Sequence, residues 1–348
     1  MTWFDRLTGF AESSPERVRQ RLALDGPYLV SRVTGRRVRW GELTTPSLGA
    51  LRAAVGDAAA GPPASVREVV GDAKALHRDA RSAGALFQAA SQFNLLEMAS
   101  PDVTPERGVG IYERDHTQGP ACAVACGGGT IYRNYFAPVP LPGGGTQRGQ
   151  TAAHQLDCLA DLGAALGHLR HGAGPLWEMR NGYALATREG LERANARLAD
   201  ADEAERDALR ALLRVGVQRD VEVLGDDPHA QGHLVTQVYG AAMPVAYGHP
   251  PAPLWEPLAR LVLEASYEAT LLVARRHRID TVFLTLLGGG VFGNDEAWIA
   301  DALLRALRRV RGGRPDAPLD VCIVSYGAPK PVVAHIVRAH EAWRARHA

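Results

Sequence analysis

The residues best placed for chemistry are a run of glycines late in the chain and a run of acids before its middle. Gly288, Gly289, Gly290, Val291, Phe292, Gly293 and Asn294 follow the clearest strand signal in the sequence, residues 281–287. A helix opens directly after them, at about Asp295. Glycines at such a turn let backbone N–H groups crowd towards a ligand, and the positive end of the next helix points the same way. The combination makes an anion site suited to a diphosphate. It is not a Walker loop, because Gly-Lys-Ser/Thr is missing. Nor is it a dinucleotide fingerprint, which would carry an acidic residue on a second strand end.

Residues 97–115 contain Glu97, Asp102, Glu106, Glu113 and Asp115. Carboxylates gathered on one loop can orient or deprotonate water and protonate a leaving group. Glu113 and Asp115, two apart, lie on one side of an extended segment but not of a helix. Asp102 and Glu106 adjoin prolines and fit ordinary loop solvation. Cys122 and Cys126, with His116 and His154, lack the Cys-x-x-Cys pairing of a zinc site, and the small residues around them suit a buried core. No metal is expected. The arginines of residues 305–311 form a solvated helix face without interleaved aromatics, so no nucleic-acid partner is expected either.

These residues need a scaffold, and the chain has the means to build one. It has 348 residues, 46% hydrophobic and 22% charged, which fits a packed globular protein. Basic and acidic residues number 39 and 38, so no global field draws it to polyanions. Nothing reaches the ~18 apolar residues of a membrane span, and the first residues lack the pattern of a signal peptide. The expectation is a cytoplasmic protein with no membrane partner. Its four cysteines are spaced irregularly, and only Lys74 and Lys330 are lysines, which suggests a GC-rich, bacterial genome.

Residues 27–33 and 36–40 flank Thr34 and Gly35 as a hairpin would. Gly61, Pro62 and Pro63 break the chain, and Ser65 with Glu68 reads as a capping box opening a helix. A short apolar strand follows at 85–90. Helices are expected at 150–168 and 187–213, strands at 215–223 and 233–247. The end of the chain reads helix (255–277), strand (280–287), helix (295–310), strand (319–326). Asn181, Gly182 and Tyr183 fit either a helix-entry turn or the rim of a cleft. The alternation argues for an α/β fold with helices on both faces of a mixed sheet.

Residues 256–326 resemble the C-terminal half of a macrodomain: helix, strand ending in a Gly-Val-Phe-Gly loop, helix, and a last strand ending in an aromatic residue. The resemblance implies that residues 288–294 wrap the diphosphate of ADP-ribose and its distal ribose. Phe292 would shield that ribose, and Tyr326 would stack on adenine. Residues 85–91 resemble the family's first strand, with Gln88 and Ser91 where asparagines are usual, so distal-ribose contacts fall on Gln88, Ser91, Gln92 and Asn94.

The acid-rich loop then suits glycosidic cleavage, with Asp115, Glu113 and Glu97 as its catalytic candidates. The resemblance spans residues 84–327 with gaps. It is nearest to a divergent branch of hydrolases that free arginine from ADP-ribose, some acting on modified ubiquitin. It implies a macrodomain-like three-layer α/β/α sandwich at 81–348, an insertion at 140–230, and an N-terminal extension at 1–80 packed on it. The implied function is a metal-independent, cofactor-free hydrolase of ADP-ribosylated protein. The alternatives are a non-catalytic ADP-ribose reader, or a hydrolase of poly(ADP-ribose) or O-acetyl-ADP-ribose.

Overall fold

The computed structural model describes residues 1–170, 174–225, 231–312 and 318–347. Seven strands form the main sheet: β1 (Glu42–Thr44), β2 (Ser65–Val70), β3 (Leu86–Ala90), β4 (Gly216–Glu222), β5 (Leu234–Gly240), β6 (Thr281–Leu284) and β7 (Asp320–Ser325). Their order is β1-β4-β5-β3-β6-β7-β2. The pairs β1/β4 and β4/β5 are antiparallel, and the remaining neighbours run parallel. The sheet is mixed, as expected.

Side chains alternate across a strand, so adjacent residues of β3 report on opposite faces. Gln88 Nε2 donates to Thr270 Oγ1 of the helix Ala252–Arg276 on one face. Phe87 stacks on His77 of the helix Ala73–Arg78 on the other, at 3.7 Å between ring centroids. The chain therefore adopts the three-layer α/β/α arrangement. The helix Ala252–Arg276 is buried along most of its length and anchors the larger core.

The N-terminal eighty residues do more than pack on this domain. They supply β1 and β2, the two edges of the sheet. Residues 65–70, expected to open a helix, are instead strand β2, paired in parallel from Ser65 against Asp320 to Val70 against Ser325. Val66, Val69 and Val70 are stiff at χ1 and favour a pleated surface, and the strand ladder outweighs the capping-box pattern. The expected hairpin is present as Tyr28–Ser31 and Arg37–Arg39. A second apolar cluster joins Trp3, Phe4, Leu7 and Phe10 to Ile131, Tyr135 and Phe136.

Strand β4 lies inside the sheet, between β1 and β5. Of residues 150–168 only Ala160–Ala165 is α-helix. Upstream, Leu156 N donates to Gln150 Oε1 and Leu159 N to Asp157 Oδ1, so side chains take the bonds a helix would need. The helix expected over 187–213 is broken at Ala201 into Arg188–Asp200 and Glu203–Arg210, the second opened by an Asp202/Glu205 capping box. Strand β5 ends at Gly240. A last helix, Pro331–His347, was not anticipated.

Candidate active site

A cleft of about 440 Å³ opens at the C-terminal ends of the parallel strands. This is where open α/β sheets hold their ligands. One wall is the turn after β6. Gly288 sits at φ +75°, and a Cβ there would lie 2.5 Å from Ala242 Cβ and 2.7 Å from Asn294 Nδ2. Tyr267, reaching up from the helix Ala252–Arg276, fixes the root of the turn: its hydroxyl donates to Thr285 O and accepts from Leu287 N, both at 2.8 Å. Among the described residues, the amides of Gly290, Val291 and Phe292 donate no hydrogen bond.

Residues 288–292 all line the cleft. Gly293 and Asn294 do not. Asn294 stands behind the turn and braces it, with Nδ2 donating to Met243 O (2.8 Å) and Gly288 O (3.3 Å). The helix that starts the other side of Asn294 also lies off the cleft. Two other helix N-termini line it, Ala73–Arg78 through its cap Asp72 and Ala73, and Gln118–Ala125 through Thr117, Gln118, Gly119 and Pro120. Gln118 ties that end to β3, accepting from Ala90 N and donating to Gln88 O, both at 2.8 Å. Gly119 is required there, because a Cβ would meet Ala90 O at 2.0 Å.

Tyr326 is 72% exposed and lines the far end, beside Asp72, Ala73, Val324 and Lys330. An exposed aromatic at a strand end is free to stack on a flat ring. Asp115 lines the cleft, and its Oδ1 accepts from the Thr117 amide (2.9 Å) and hydroxyl (2.7 Å). Those bonds fix one carboxylate oxygen. Ser91 and Gln92 are buried in the same wall, with Gln92 closing its loop by accepting from Met98 N (2.9 Å) and donating to Met98 O (3.2 Å).

Glu97 also contributes to the cleft but from beneath. It is 2% exposed, and both its carboxylate oxygens face Arg133. Burial pushes its carboxyl up to about 7, against the pull of the guanidinium. Arg133 is completely buried and held in turn by Leu95 O (2.9 Å), by the hydroxyl of Tyr239 and by the face of that ring.

Three further candidates fall elsewhere. Gln88 lies in the sheet interior, where its amide holds Thr270. Asn94 is fully buried; its Oδ1 accepts from Leu96 N (3.0 Å) and its Nδ2 donates to Gln155 Oε1 (2.7 Å). Glu113 points away, paired with Arg6 and accepting from Trp3 N at 2.9 Å. The segment 110–114 coils into a 3-10 helix, so the extended geometry that would have aligned Glu113 with Asp115 does not form. Cys122 and Cys126 are buried, and burial pushes both thiols up. Among the described residues no group of three or more His, Cys, Asp and Glu gathers as a metal would need.

Tyr247 and Asp72 also line the cleft, and no motif around either residue marks it. Tyr183 was legible in outline. Asn181 and Gly182, at φ +47° and +82°, turn the hairpin Trp177–Arg180/Tyr183–Ala186, and Asn-Gly is the strongest short hairpin signal. The turn packs on the wall loop: a Cβ on Gly182 would lie 2.5 Å from Asn94 Oδ1. Tyr183 then meets Phe292 and Tyr247, with ring centroids 5.3 and 5.0 Å away. These aromatics and Asp115 all line the cleft.

Neither a protein-family model nor a curated protein matches the sequence. Among solved structures the chain is similar to poly(ADP-ribose) glycohydrolase from Thermomonospora curvata, at 14% identity and a TM-score of 0.44, covering 93% of this chain and 95% of that one. It is also similar to poly(ADP-ribose) glycohydrolase from Deinococcus radiodurans in complex with ADP-ribose, at 16% identity and a TM-score of 0.46, covering 87% and 94%.

Proposed function

We propose that this chain hydrolyses a glycosidic bond of ADP-ribose. The observation that supports this most is the convergence, in one cleft, of free turn amides, an exposed aromatic ring and a fixed carboxylate. The diphosphate meets the amides of Gly290, Val291 and Phe292, where charge is best stabilised by fixed dipoles. Adenine stacks on Tyr326. The distal ribose lies between Phe292 and the wall of Ser91 and Gln92, with its anomeric carbon towards Asp115.

Asp115 then orients a water on that carbon and takes its proton as the new C–O bond forms. The bond from the anomeric carbon to the acceptor breaks with its electron pair going to the acceptor, which takes up a proton from solvent, and Asp115 returns its own proton to water. Glu97 holds a proton near neutral pH and sits next to this end. The acceptor we favour is arginine, as the sequence resemblance implies. The aromatic end of the cleft, with Tyr183, Tyr247 and Phe292 beside Asp115, suits a planar cation. The fold and the cleft serve a reader of ADP-ribose equally well, and a poly(ADP-ribose) hydrolase would use the same diphosphate turn.

One experiment separates them: release of free ADP-ribose from proteins modified on arginine, serine or glutamate, and from poly(ADP-ribose). Release from arginine supports the full proposal, and release from the polymer alone moves the acceptor. Tight ADP-ribose binding without release from any substrate rejects the hydrolase and leaves a reader.

A further inference from the structure

The loop that carries Asp115 is held by the first twelve residues of the chain. Glu12 Oε1 accepts from Val109 N at 2.9 Å and Oε2 from Gly110 N at 2.7 Å. The same carboxylate accepts from the Tyr135 hydroxyl at 2.6 Å. Its closeness explains two glycines. A Cβ on Gly108, at φ +83°, would lie 2.5 Å from Glu12 Cδ, and one on Gly110 would lie 2.8 Å from Glu12 Oε2 and 2.9 Å from Thr2 Oγ1.

The contact is reinforced on both sides. Trp3 Nε1 donates to Val109 O at 3.0 Å, and Trp3 N donates to Glu113 Oε2, while Glu113 Oε1 pairs with Arg6. Glu12 N donates back to Asp5 Oδ1 at 3.2 Å. The held segment is Gly110–Arg114, one short 3-10 turn whose last bond, Asp115 N to Tyr112 O at 3.1 Å, sets where Asp115 enters the cleft. Tyr112 is buried and accepts from Glu97 N at 3.1 Å, so the turn is fixed at its start by Glu12 and at its middle by the wall of the cleft.

We infer that Glu12 is a positioning residue for Asp115: it fixes the Val109–Gly110 backbone and so places the carboxylate that the hydrolase proposal puts at the anomeric carbon. The inference rests on that proposal. It gives the N-terminal segment a part in the reaction that needs no contact with substrate. Glu12 meets none of the cleft-lining residues in its hydrogen bonds, and its loss reaches the cleft only through the loop.

The test compares Glu12→Gln with Tyr135→Phe in the full chain. Glu12→Gln keeps the shape but turns one acceptor into a donor facing a backbone N–H. Tyr135→Phe removes the third partner of the same carboxylate and leaves both loop bonds. We expect kcat of Glu12→Gln to fall by about ten- to a hundredfold, as displacement of a catalytic group does. KM and ADP-ribose affinity stay within about twofold, and amide exchange across 108–115 accelerates. Tyr135→Phe keeps kcat within about twofold of wild type. Wild-type kcat in Glu12→Gln, or an equal loss in Tyr135→Phe, overturns the inference alone. A wild-type protein that releases no ADP-ribose overturns the hydrolase proposal and the inference with it.

Discussion

Glu97 and Arg133 meet under the floor of the cleft with neither side chain reaching solvent: Arg133 Nη2 stands 3.0 and 3.2 Å from the two carboxylate oxygens. A buried pair of this kind is a poor source of stability, because desolvation offsets the attraction. It does hold a proton-accepting group close to neutrality at the acid end of the site. Tyr112, Tyr239 and Cys122 surround the pair, and none of them offers a second cation.

That arrangement makes stability depend on pH with a defined sign. The folded Glu97 carboxyl stands at about 7, above its ordinary 4.5, so its contribution is full below 4.5 and is lost as pH rises through 7. Glu97→Gln has no proton to lose. Urea denaturation of wild type and Glu97→Gln between pH 4 and pH 8 should show the wild type losing ground relative to the variant as pH rises. Parallel curves would mean that Glu97 titrates normally.

Asp115 and Glu113 are two residues apart and predict opposite phenotypes. Asp115→Ala should lower ADP-ribose release by about a hundredfold or more, the usual worth of a general base, with ADP-ribose affinity intact. Glu113→Ala removes a partly exposed pair with Arg6 and the bond from Trp3 N but leaves both Glu12 bonds to the loop, so it should lower kcat by no more than a few-fold and stability by about 1 kcal/mol. Equal losses in the two variants would place the chemistry elsewhere on the loop.

Gly288 has no room for a side chain and sits in left-handed backbone, so Gly288→Ala should displace Asn294 and spread the turn. The expected outcome by calorimetry is ADP-ribose affinity weaker by about tenfold or more, with a modest fall in Tm. Unchanged affinity would remove the turn from the binding site.

Tyr326 packs on little and is largely exposed, so its removal should cost almost no stability. Stacking on a base is worth ~1–3 kcal/mol, so Tyr326→Ala should weaken ADP-ribose binding by about ten- to a hundredfold while free ribose phosphate binds as before. Equal weakening of both ligands would argue against a stacked adenine.

Much of this was legible in the sequence, for identifiable reasons. Strands β3 and β6 and the glycine turn read out because buried parallel strands are short apolar runs punctuated by glycine. Ser91, Gln92 and Tyr326 came from the macrodomain resemblance and Glu97 and Asp115 from the run of acids at 97–115, and all five line the cleft with the turn residues 288–292. What failed was local geometry set by distant partners. Ser65 and Glu68 carry a helix signature that the register with Asp320 and Ile323 overrides. Glu113 was misplaced because the loop coils under the hold of Glu12 and Trp3, more than ninety residues away in sequence. Gln88 and Asn94 have the right type for ligand contacts but spend their amides on Thr270 and Gln155. Tyr247 needed the fold, since nothing in its neighbourhood points to a nucleotide.

The most direct test of the central claim is a single-turnover assay of ADP-ribose release from arginine-modified protein, run with wild type and Asp115→Ala alongside calorimetry of ADP-ribose binding. The account predicts release by wild type, loss of release in the variant, and equal binding by both. Release that persists in Asp115→Ala, or binding by wild type with no release from any ADP-ribosylated substrate, would contradict it.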